Sequence, residues 1–340
     1  MFRFLFLLAS LFYVASSEGL RGDMSNFLNE SDEWKQFSNF QERFAKKYGS
    51  IEEMENRFQI FRTNLRNIVI HNLDRSQNFT MGVNQFTDLT PEEFKAQYTG
   101  GVKAIVGGTT CGSYSSSASG APASIDWRTK GAVTSVKDQG QCGSCWTFSS
   151  TGAVEGAWAI AKGQLIDFSE EQLVECAGIK YGSMGCNGGS MEGAFNYIIA
   201  NGQCTAASYP YTSGTGQSGS CKSCSAVAHL SSCSDVKPND QISLKGAIAR
   251  QPVSVAIEAD TRYFQSYTSG ILDSTACGTN LDHAVEIVGY GTENGMDYWK
   301  VRNSWSSSWG ENGYVRIKKS SSTNDIGICG VAAEPSFLSV

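Results

Sequence analysis

The stretch from Gln139 to Trp146 constrains the fold more than any other, because its glycines and small polar residues require a loop directly before a helix. Apolar residues at helical spacing predict that helix: Trp146, Phe148, Val154, Trp158 and Ile160. Gly163 is expected to end it. Cys145 therefore lies at or next to a helix N-terminus, where unpaired backbone N–H groups and the helix dipole favour a thiolate. A cysteine there can act as a nucleophile.

The run Cys142-Gly-Ser-Cys145-Trp146 has two interpretations. A Cys-x-x-Cys pair alone is also typical of redox and zinc sites. With the tryptophan, the run resembles the catalytic cysteine signature of papain- and cathepsin-like cysteine proteases, and specifically of their cathepsin L-like branch. The resemblance implies an α+β fold with two lobes, a helical left lobe and a β-barrel-like right lobe, preceded by a helical prodomain.

Composition limits the classes of function. The chain has 340 residues, enough for two domains, and 41% of them are hydrophobic, which is ample for a packed core. Its net charge of −6 leaves no basic excess for nucleic-acid binding, so no nucleic-acid partner is expected. We predict no cofactor and no metal.

The first 17 residues read as a signal peptide. Arg3 supplies a positive charge, and the stretch 4–14 is apolar. The small residues Ala15-Ser-Ser17 that follow are typical of a signal-peptide cleavage site. No later stretch is long and apolar enough to span a bilayer, so we expect no membrane association after processing. The expected location is the secretory pathway, ending in a lysosome, a vacuole or the extracellular space. Eleven cysteines in such a chain predict disulfides before metal sites.

Residues 18–120 are predicted to be a helical propeptide with a linker. One helix is expected from Ser31 to Gly49, and a second begins at Ser50, which has capping-box spacing to Glu53. The second helix carries the pattern typical of cathepsin L-like propeptides: Glu53, Arg57, Phe61, Asn64, Ile68 and Asn72. The run 82–88 resembles the second motif of these propeptides. The resemblance therefore implies an inhibitory prodomain. Its sequons at Asn29 and Asn78 are candidate glycosylation sites.

The catalytic unit is predicted over residues 121–340. From 100 to 120 the chain is rich in Gly, Ser, Thr and Ala, which indicates a flexible, protease-accessible linker. Helices are expected at Cys145, from Ser169 and around residues 191–199. Strands are expected at 253–257, 284–288, 298–302 and 314–318, with turns at Asn294-Gly295 and Asn312-Gly313. Helices followed by strands predict two lobes with a cleft between them.

A thiolate protease needs a histidine, and the chain has three. His71 lies in the propeptide and His229 in a Ser-rich loop, so His283 is the candidate. The resemblance implies that Asn303 orients His283, that Trp305 shields their hydrogen bond, and that Gln139 stabilises the oxyanion. The family has glycines after this Trp where the chain has Ser306 and Ser308, so the loop is expected to differ in detail.

The resemblance also locates substrate-binding residues. Gly188 and Gly189 would let an extended substrate approach the backbone. The S2 pocket would have mostly apolar walls and Glu334 at its floor, admitting hydrophobic and Arg side chains at P2. The walls would be Ser190, Met191, Leu281 and Ala284. An alternative is that Glu334 is a solvated charge near the C-terminus. Without an adjacent pair of histidines, an endopeptidase is expected.

The resemblance implies three disulfides: Cys142–Cys186, Cys176–Cys221 and Cys277–Cys329. Cys204, Cys224 and Cys233 remain, together with Cys111 in the linker. The sequence cannot fix their pairing, and a tether from Cys111 to the mature enzyme is one alternative.

Expected partners are protein and peptide substrates, the chain's own propeptide and cystatin-like inhibitors, with a monomeric enzyme. Two rival functions remain open. One is a catalytically inactive papain-fold binding or inhibitory protein, and the other is an oxidoreductase that uses Cys142 and Cys145.

Overall fold

The computed structural model describes residues 29–101 and 111–340, so the predicted signal peptide lies outside the described residues. The helices are α1 (Glu30–Arg43), α2 (Ile51–Leu73), α3 (Pro91–Tyr98), α4 (Cys145–Lys162), α5 (Glu170–Cys176), α6 (Met191–Asn201), α7 (Gln241–Ile248) and α8 (Arg262–Gln265). The strands are β1 (Phe79–Met81), β2 (Gly112–Tyr114), β3 (Ile125–Asp126), β4 (Ser232–Val236), β5 (Val253–Ile257), β6 (Tyr267–Leu272), β7 (His283–Glu293), β8 (Met296–Arg302), β9 (Tyr314–Lys318) and β10 (Ser336–Ser339).

Residues 29–101, called here the N-terminal unit, begin with two helices packed on an aromatic core. Trp34 of α1 stacks on Phe58 of α2, with ring centroids 3.7 Å apart. The prediction that α1 spans Ser31 to Gly49 was wrong at both ends. Asn29 caps the helix by accepting a hydrogen bond from the Asp32 backbone N–H, and the helix ends at Arg43.

The helix α2 begins after Ser50, whose side chain accepts a hydrogen bond from the Glu53 backbone N–H, as the sequence predicts. The asparagines of α2 bind the chain that follows it. Asn64 donates to the carbonyls of Thr87 and Leu89, while Asn72 exchanges hydrogen bonds with the backbone of Met81. These bonds hold the segment between β1 and α3 against α2.

The C-terminal unit, residues 111–340, has a helical half and a sheet half. The helix α4 is buried from Cys145 to Ala157 and ends at Gly163, which has a φ of 71°. It packs between α5, α6 and the strand β7. The central helix therefore joins the two halves, and its N-terminus lies at their junction.

The sheet has the strand order β1-β6-β9-β8-β7-β5-β10-β4-β2, and β3 also pairs with β7. The strands β5 and β9 have the predicted bounds, whereas β7 and β8 are longer than predicted. Asn294 and Gly295 both have positive φ between β7 and β8, as a tight hairpin turn requires. The pair Asn312-Gly313 makes a tight turn beside β9 and does not join two long strands.

The prediction of a flexible linker over 100–120 was wrong for the residues described. Residues 112–114 form β2, which pairs in parallel with β4. Cys111 forms a disulfide with Cys233 of β4. The other disulfides are Cys142–Cys186, Cys176–Cys221, Cys204–Cys224 and Cys277–Cys329, which include the three that the resemblance implies. Across ranges 29–101 and 111–340, no helix is both long and apolar enough to cross a bilayer.

Candidate active site

Cys145 is the first residue of α4, and its side chain is fully buried. Within the part of the chain that the structure describes, it is the one cysteine without a disulfide. Cys142 is bonded to Cys186 and cannot form a redox pair with Cys145. The oxidoreductase interpretation of this Cys-x-x-Cys run therefore lacks its second thiol.

His283 is the first residue of β7 and lies in a fully buried position. Its Nε2 is 2.8 Å from Oδ1 of Asn303, which also accepts a hydrogen bond from the Ser304 backbone N–H. An amide oxygen accepts, so Nε2 carries the proton and Nδ1 keeps its lone pair. Trp305 stacks on the imidazole, with ring centroids 4.6 Å apart and an interplanar angle of 26°. The indole therefore covers one face of the imidazole.

Burial opposes charge on both groups. It raises the pKa of the Cys145 thiol and lowers the pKa of His283 to about 4. The backbone N–H groups of Ala284 and Gly100 act on the thiol in the opposite direction, toward a lower pKa. The sequence predicts a thiolate at this helix N-terminus. In the covered site the neutral pair is favoured, because both side chains are buried.

Gln139 is also buried, and its amide is fixed at both ends. Oε1 accepts a hydrogen bond from the Ser304 hydroxyl over 2.6 Å. Nε2 donates to the carbonyls of Cys142 and Tyr98, over 2.9 and 3.1 Å. The amide N–H donor of the predicted oxyanion site therefore already binds two peptide carbonyls. One of them, the carbonyl of Tyr98, belongs to the N-terminal unit.

The N-terminal unit crosses the candidate site at Gly100 and Gly101. A Cβ at Gly100 would lie 2.0 Å from the carbonyl oxygen of Gly143, and a Cβ at Gly188 would lie 2.0 Å from that of Gly100. The Gly101 N–H donates to the carbonyl of Asp282, the residue before His283. The two backbones approach this closely only because no side chain separates them.

The same unit also covers Trp305. Phe86 and Phe94 pack edge-on against its ring, with centroids 5.4 and 5.1 Å away. Gln85 donates a hydrogen bond to the Trp305 carbonyl over 2.9 Å. Lys95 of α3 pairs with Asp260 over 2.6 Å and lies 3.9 Å from Asp282. The N-terminal unit thus contacts Trp305 and Asp282, which lie next to His283 in space or in sequence, as well as the predicted cleft.

The predicted walls of the S2 pocket consist of three apolar residues in or against the core and one serine at the start of α6. Met191 and Ala284 are buried in the core that also contains Cys145, and Leu281 packs against that core. Ser190 caps α6 and donates a hydrogen bond to Glu192. Gly189 lies against Trp146, where a Cβ would be 2.5 Å from the indole.

Glu334 is exposed, yet partial loss of water raises its pKa, and the negative charge of Glu192 adds to the rise. Burial and the same Glu192 charge raise the pKa of Asp235 to about 6. The repulsion from Glu192 indicates that Glu334 lies near the N-terminus of α6, beside the predicted pocket walls.

Sequence reasoning missed a group of buried ions behind Asn303. This group, called here the buried ionic cluster, consists of four buried side chains, Glu155, Glu170, Glu286 and Arg302, together with the partly buried Lys137. Arg302 lies 2.7 Å from Glu286 and 3.6 Å from Glu155. Gly152 of α4 packs on this pair, since a Cβ there would be 2.2 Å from the guanidinium. Three carboxylates against two cations leave one excess negative charge, and burial raises the pKa of Glu286 to about 7. Glu286 and Arg302 are opposite each other in the pairing of β7 with β8, and the predicted strands are the only sequence signal for their contact.

Among the described residues there is no group of three or more His, Cys, Asp or Glu side chains that could hold a metal ion. The candidate site consists of a thiol, an imidazole and amides. Such a set is suited to acyl transfer.

Two family profiles match the chain. The profile of the papain family cysteine protease matches residues 121–338, and that of the cathepsin propeptide inhibitor domain matches residues 37–94. Germination-specific cysteine protease 1 of Arabidopsis thaliana is 46% identical over 298 residues, covering 85% of this chain and 78% of that protein. Cysteine proteinase RD21A of the same plant is 46% identical over 296 residues, or 86% of this chain and 63% of its own length.

Solved structures agree with this similarity. The precursor of recombinant stem bromelain matches with a TM-score of 0.82 and 39% identity, covering 91% of this chain and 99% of its own. Digestive procathepsin L 3 of Tenebrio molitor larval midgut matches equally, with a TM-score of 0.82, 38% identity and the same coverage. The chain belongs to the papain family of cysteine proteases, with a cathepsin propeptide inhibitor domain ahead of the catalytic domain.

Proposed function

We propose that this protein is a cysteine endopeptidase, made as a zymogen in the secretory pathway, whose nucleophile is Cys145. The observation that carries the proposal is the 2.8 Å hydrogen bond between Asn303 and His283, whose imidazole stacks on Trp305. Cys145 supports it, because this cysteine has no disulfide and lies at a helix N-terminus. Five disulfides in the described ranges support an oxidising compartment.

In the proposed reaction, the Cys145 thiolate attacks the substrate carbonyl carbon. The oxygen gains negative charge and receives hydrogen bonds from the Gln139 amide and the Cys145 backbone N–H. The His283 imidazolium then protonates the leaving amine, the C–N bond breaks, and a thioester remains. Water attacks the thioester while Nδ1 of His283 accepts its proton, and the C–S bond breaks, which releases the acid and restores the Cys145 thiolate beside the His283 imidazolium. Asn303 holds the ring in one orientation through both steps, and it selects the tautomer with the proton on Nε2 whenever the ring is neutral.

The N-terminal unit would act as the inhibitory propeptide. It places the carbonyl of Tyr98 at Gln139 and the backbone of Gly100 against Gly143, so a substrate cannot occupy the same space. Once it leaves, Cys145 and His283 regain contact with water and the charged pair becomes accessible. Cystatin-like inhibitors would then compete for the cleft of a monomeric enzyme.

The S2 pocket would take bulky apolar side chains and Arg. Met191, Ala284 and Leu281 offer apolar walls, while the carboxylate of Glu334 is a partner for a guanidinium. Because its pKa is raised, Glu334 is protonated at the acid end of the range and ionises at higher pH than an ordinary glutamate. Preference for Arg at P2 should therefore increase as pH rises.

Active-site labelling tests the catalytic proposal. The E64 inhibitor forms a complex with bromelain, a relative that matches this chain with a TM-score of 0.60 and 42% identity. We expect E64 to label Cys145 of the matured protein with a 1:1 stoichiometry, and Cys145→Ala to remove both labelling and peptidase activity. A folded, matured chain that is neither labelled nor active would instead be the inactive binding protein.

Two variants test the S2 proposal with Phe-Arg and Arg-Arg dipeptide substrates across pH. Glu334→Ala should remove the gain that Arg at P2 shows with rising pH and leave Phe at P2 unchanged. Glu192→Gln removes the neighbouring charge, so the same gain should move to lower pH. If neither variant changes the ratio of the two substrates, Glu334 is a solvated charge outside the pocket.

A further inference from the structure

We propose that the active enzyme begins on the N-terminal side of Cys111, so that residues 111–120 stay with it and β2 is its first strand. Sequence reasoning places the mature start ten residues later, near Ala121. The inference rests on the proposed zymogen and names which part of the linker stays with the enzyme. Its basis is a set of contacts that join residues 111–120 to the catalytic domain.

The first contact is covalent. Cys111 forms a disulfide with Cys233 of β4, and Cys233 is 4% exposed. Cys233 belongs to the core that also contains Cys145 and Met191, and Cys111 packs against that core. A cut near Ala121 would therefore not release the residues that precede it.

The second contact is a strand. Gly112, Ser113 and Tyr114 pair in parallel with Ser234, Asp235 and Val236 of β4. The pairing ends in a hydrogen bond from the Lys237 N–H to the Tyr114 carbonyl, over 2.8 Å. Without β2, the strand β4 would be the open edge of the sheet.

The third contact is side-chain packing. Tyr114 lies edge-on to Phe337 of β10, with ring centroids 5.0 Å apart, and the Arg250 guanidinium is 5.9 Å from the Tyr114 ring. Ser116 exchanges two hydrogen bonds with Ser243 of α7. The backbone of α7 approaches so closely that a Cβ at Gly246 would be 2.5 Å from the Ser116 hydroxyl. These are contacts of a folded domain.

The predicted cleavage point near Ala121 lies in a tight turn. Its N–H donates to the carbonyl of Ala118, and both Ala118 and Gly120 have positive φ, at 53° and 78°. Proteases of this kind bind substrates as extended strands, so this turn must open before it can be cut. Contacts of the N-terminal unit with the cleft extend to Gly101, and contacts with the sheet start at Cys111. The boundary therefore falls between the two sets.

The test is the N-terminus of the active enzyme. The full chain is allowed to mature and its intact mass is measured with and without reduction, followed by N-terminal sequencing. We expect one chain that begins before Cys111, with the same N-terminus in both conditions, and a Cys111–Cys233 peptide in a non-reduced digest. A chain that begins near Ala121 overturns the inference, whether or not residues 111–120 remain attached through the disulfide.

A double variant tests whether the strand belongs to the folded enzyme. Cys111→Ser with Cys233→Ser leaves no orphan thiol, and it should lower the urea midpoint of the active form, while Ser117→Ala, at an exposed position, should not. An unchanged midpoint in the double variant argues against the inference. If that variant does not fold, Tyr114→Ser replaces it with the same expectation. E64 labelling of the same samples separates the two proposals, because an active, labelled enzyme that starts near Ala121 overturns only this one.

Discussion

The side-chain amide of Gln139 donates a hydrogen bond to the carbonyl of Tyr98, over 3.1 Å, while its oxygen accepts one from Ser304. Ser304 lies beside Asn303, so one short segment orients both the imidazole and the amide donor. The N-terminal unit uses the donor that we assign to the oxyanion.

Replacing Gln139 should therefore slow catalysis strongly. We expect Gln139→Ala to lower kcat by a factor of about 10²–10³, corresponding to roughly 2.7–4 kcal/mol of transition-state stabilisation. Ser304→Ala keeps the donor but loses its orientation, so its effect should be smaller. Steady-state kinetics on the matured enzyme measure both, with circular dichroism as the folding control. Equal losses in the two variants would argue against the oxyanion role.

Changing Asn303 should move the pH profile as well as the rate. The hydrogen bond from His283 to Asn303 raises the pKa of the imidazole, against the lowering caused by burial. Asn303→Ala should therefore shift the basic limb of kcat/KM to lower pH and reduce its maximum about tenfold. Asn303→Asp should shift the limb to higher pH, because a carboxylate stabilises the imidazolium. If both variants move the limb in the same direction, the assigned contact is wrong.

A side chain at Gly100 should weaken inhibition by the N-terminal unit. Its Cβ would lie 2.0 Å from the Gly143 carbonyl oxygen, so the two backbones must separate. Overpacking of this kind costs about 1–3 kcal/mol, which is about 5- to 150-fold in an inhibition constant. We expect the intact Gly100→Ala zymogen to cleave a dipeptide substrate before processing. Ala96→Ser on the exposed face of α3 is the control, and a zymogen as silent as the control would contradict the expectation.

The buried ionic cluster should make stability depend on pH. The pKa of Glu286 is raised to about 7, chiefly by burial, so the folded chain binds this proton more tightly than the unfolded chain. The stabilisation is fully present below the unfolded pKa of about 4.3 and is lost as pH rises through 7. Glu286→Gln cannot ionise, so its unfolding free energy should change less between pH 5 and pH 8.

Urea unfolding in a Cys145→Ser background avoids self-digestion during that measurement. Asp167→Asn serves as the control, because Asp167 contacts Lys137 of the same cluster with a side chain that is 56% exposed. An equal pH dependence in the original chain and in Glu286→Gln would show that another group takes up the proton.

Ser306 has a φ of 67°, a conformation that favours glycine. The sequence has a serine where the family pattern has glycine, and the backbone of this serine is in the left-handed region. Ser306→Gly should therefore raise the unfolding free energy by about 1 kcal/mol. Ser308 lacks a positive φ, so Ser308→Gly should not stabilise. The urea midpoints of the two variants measure these changes. An equal gain in Ser308→Gly would show that the positive φ at Ser306 is not the cause.

Local features of the sequence predicted much of the fold. Ser50 and Ser169 cap helices where the sequence predicts helix starts, because caps depend on residues within one turn. The strand β5 was predicted with its bounds, since Val253 to Ile257 form a continuous buried run. The three-residue strand β1 was missed, as it exists only through its pairing with β6.

Long-range contacts limited what the sequence could predict about the site. The motifs located Cys145, His283 and Asn303, but the Glu286–Arg302 pair depends on the register between β7 and β8. The pairing of Cys111 with Cys233 spans 122 residues, and connectivity of that kind needs the fold. Positive φ at Ser306 was missed because its residue type gives no signal for it.

The strand β1 of the N-terminal unit pairs with β6, whose other neighbour is β9. When the N-terminal unit departs, β6 becomes an edge strand. Its outer N–H and C=O groups then no longer bind β1 and are exposed to water. Strand edges of this kind can pair with another chain, so maturation exposes an aggregation-prone surface that the zymogen keeps covered. Thr268 and Ser269, whose hydroxyls bind Thr80 in the zymogen, give that edge polar side chains once it is bare.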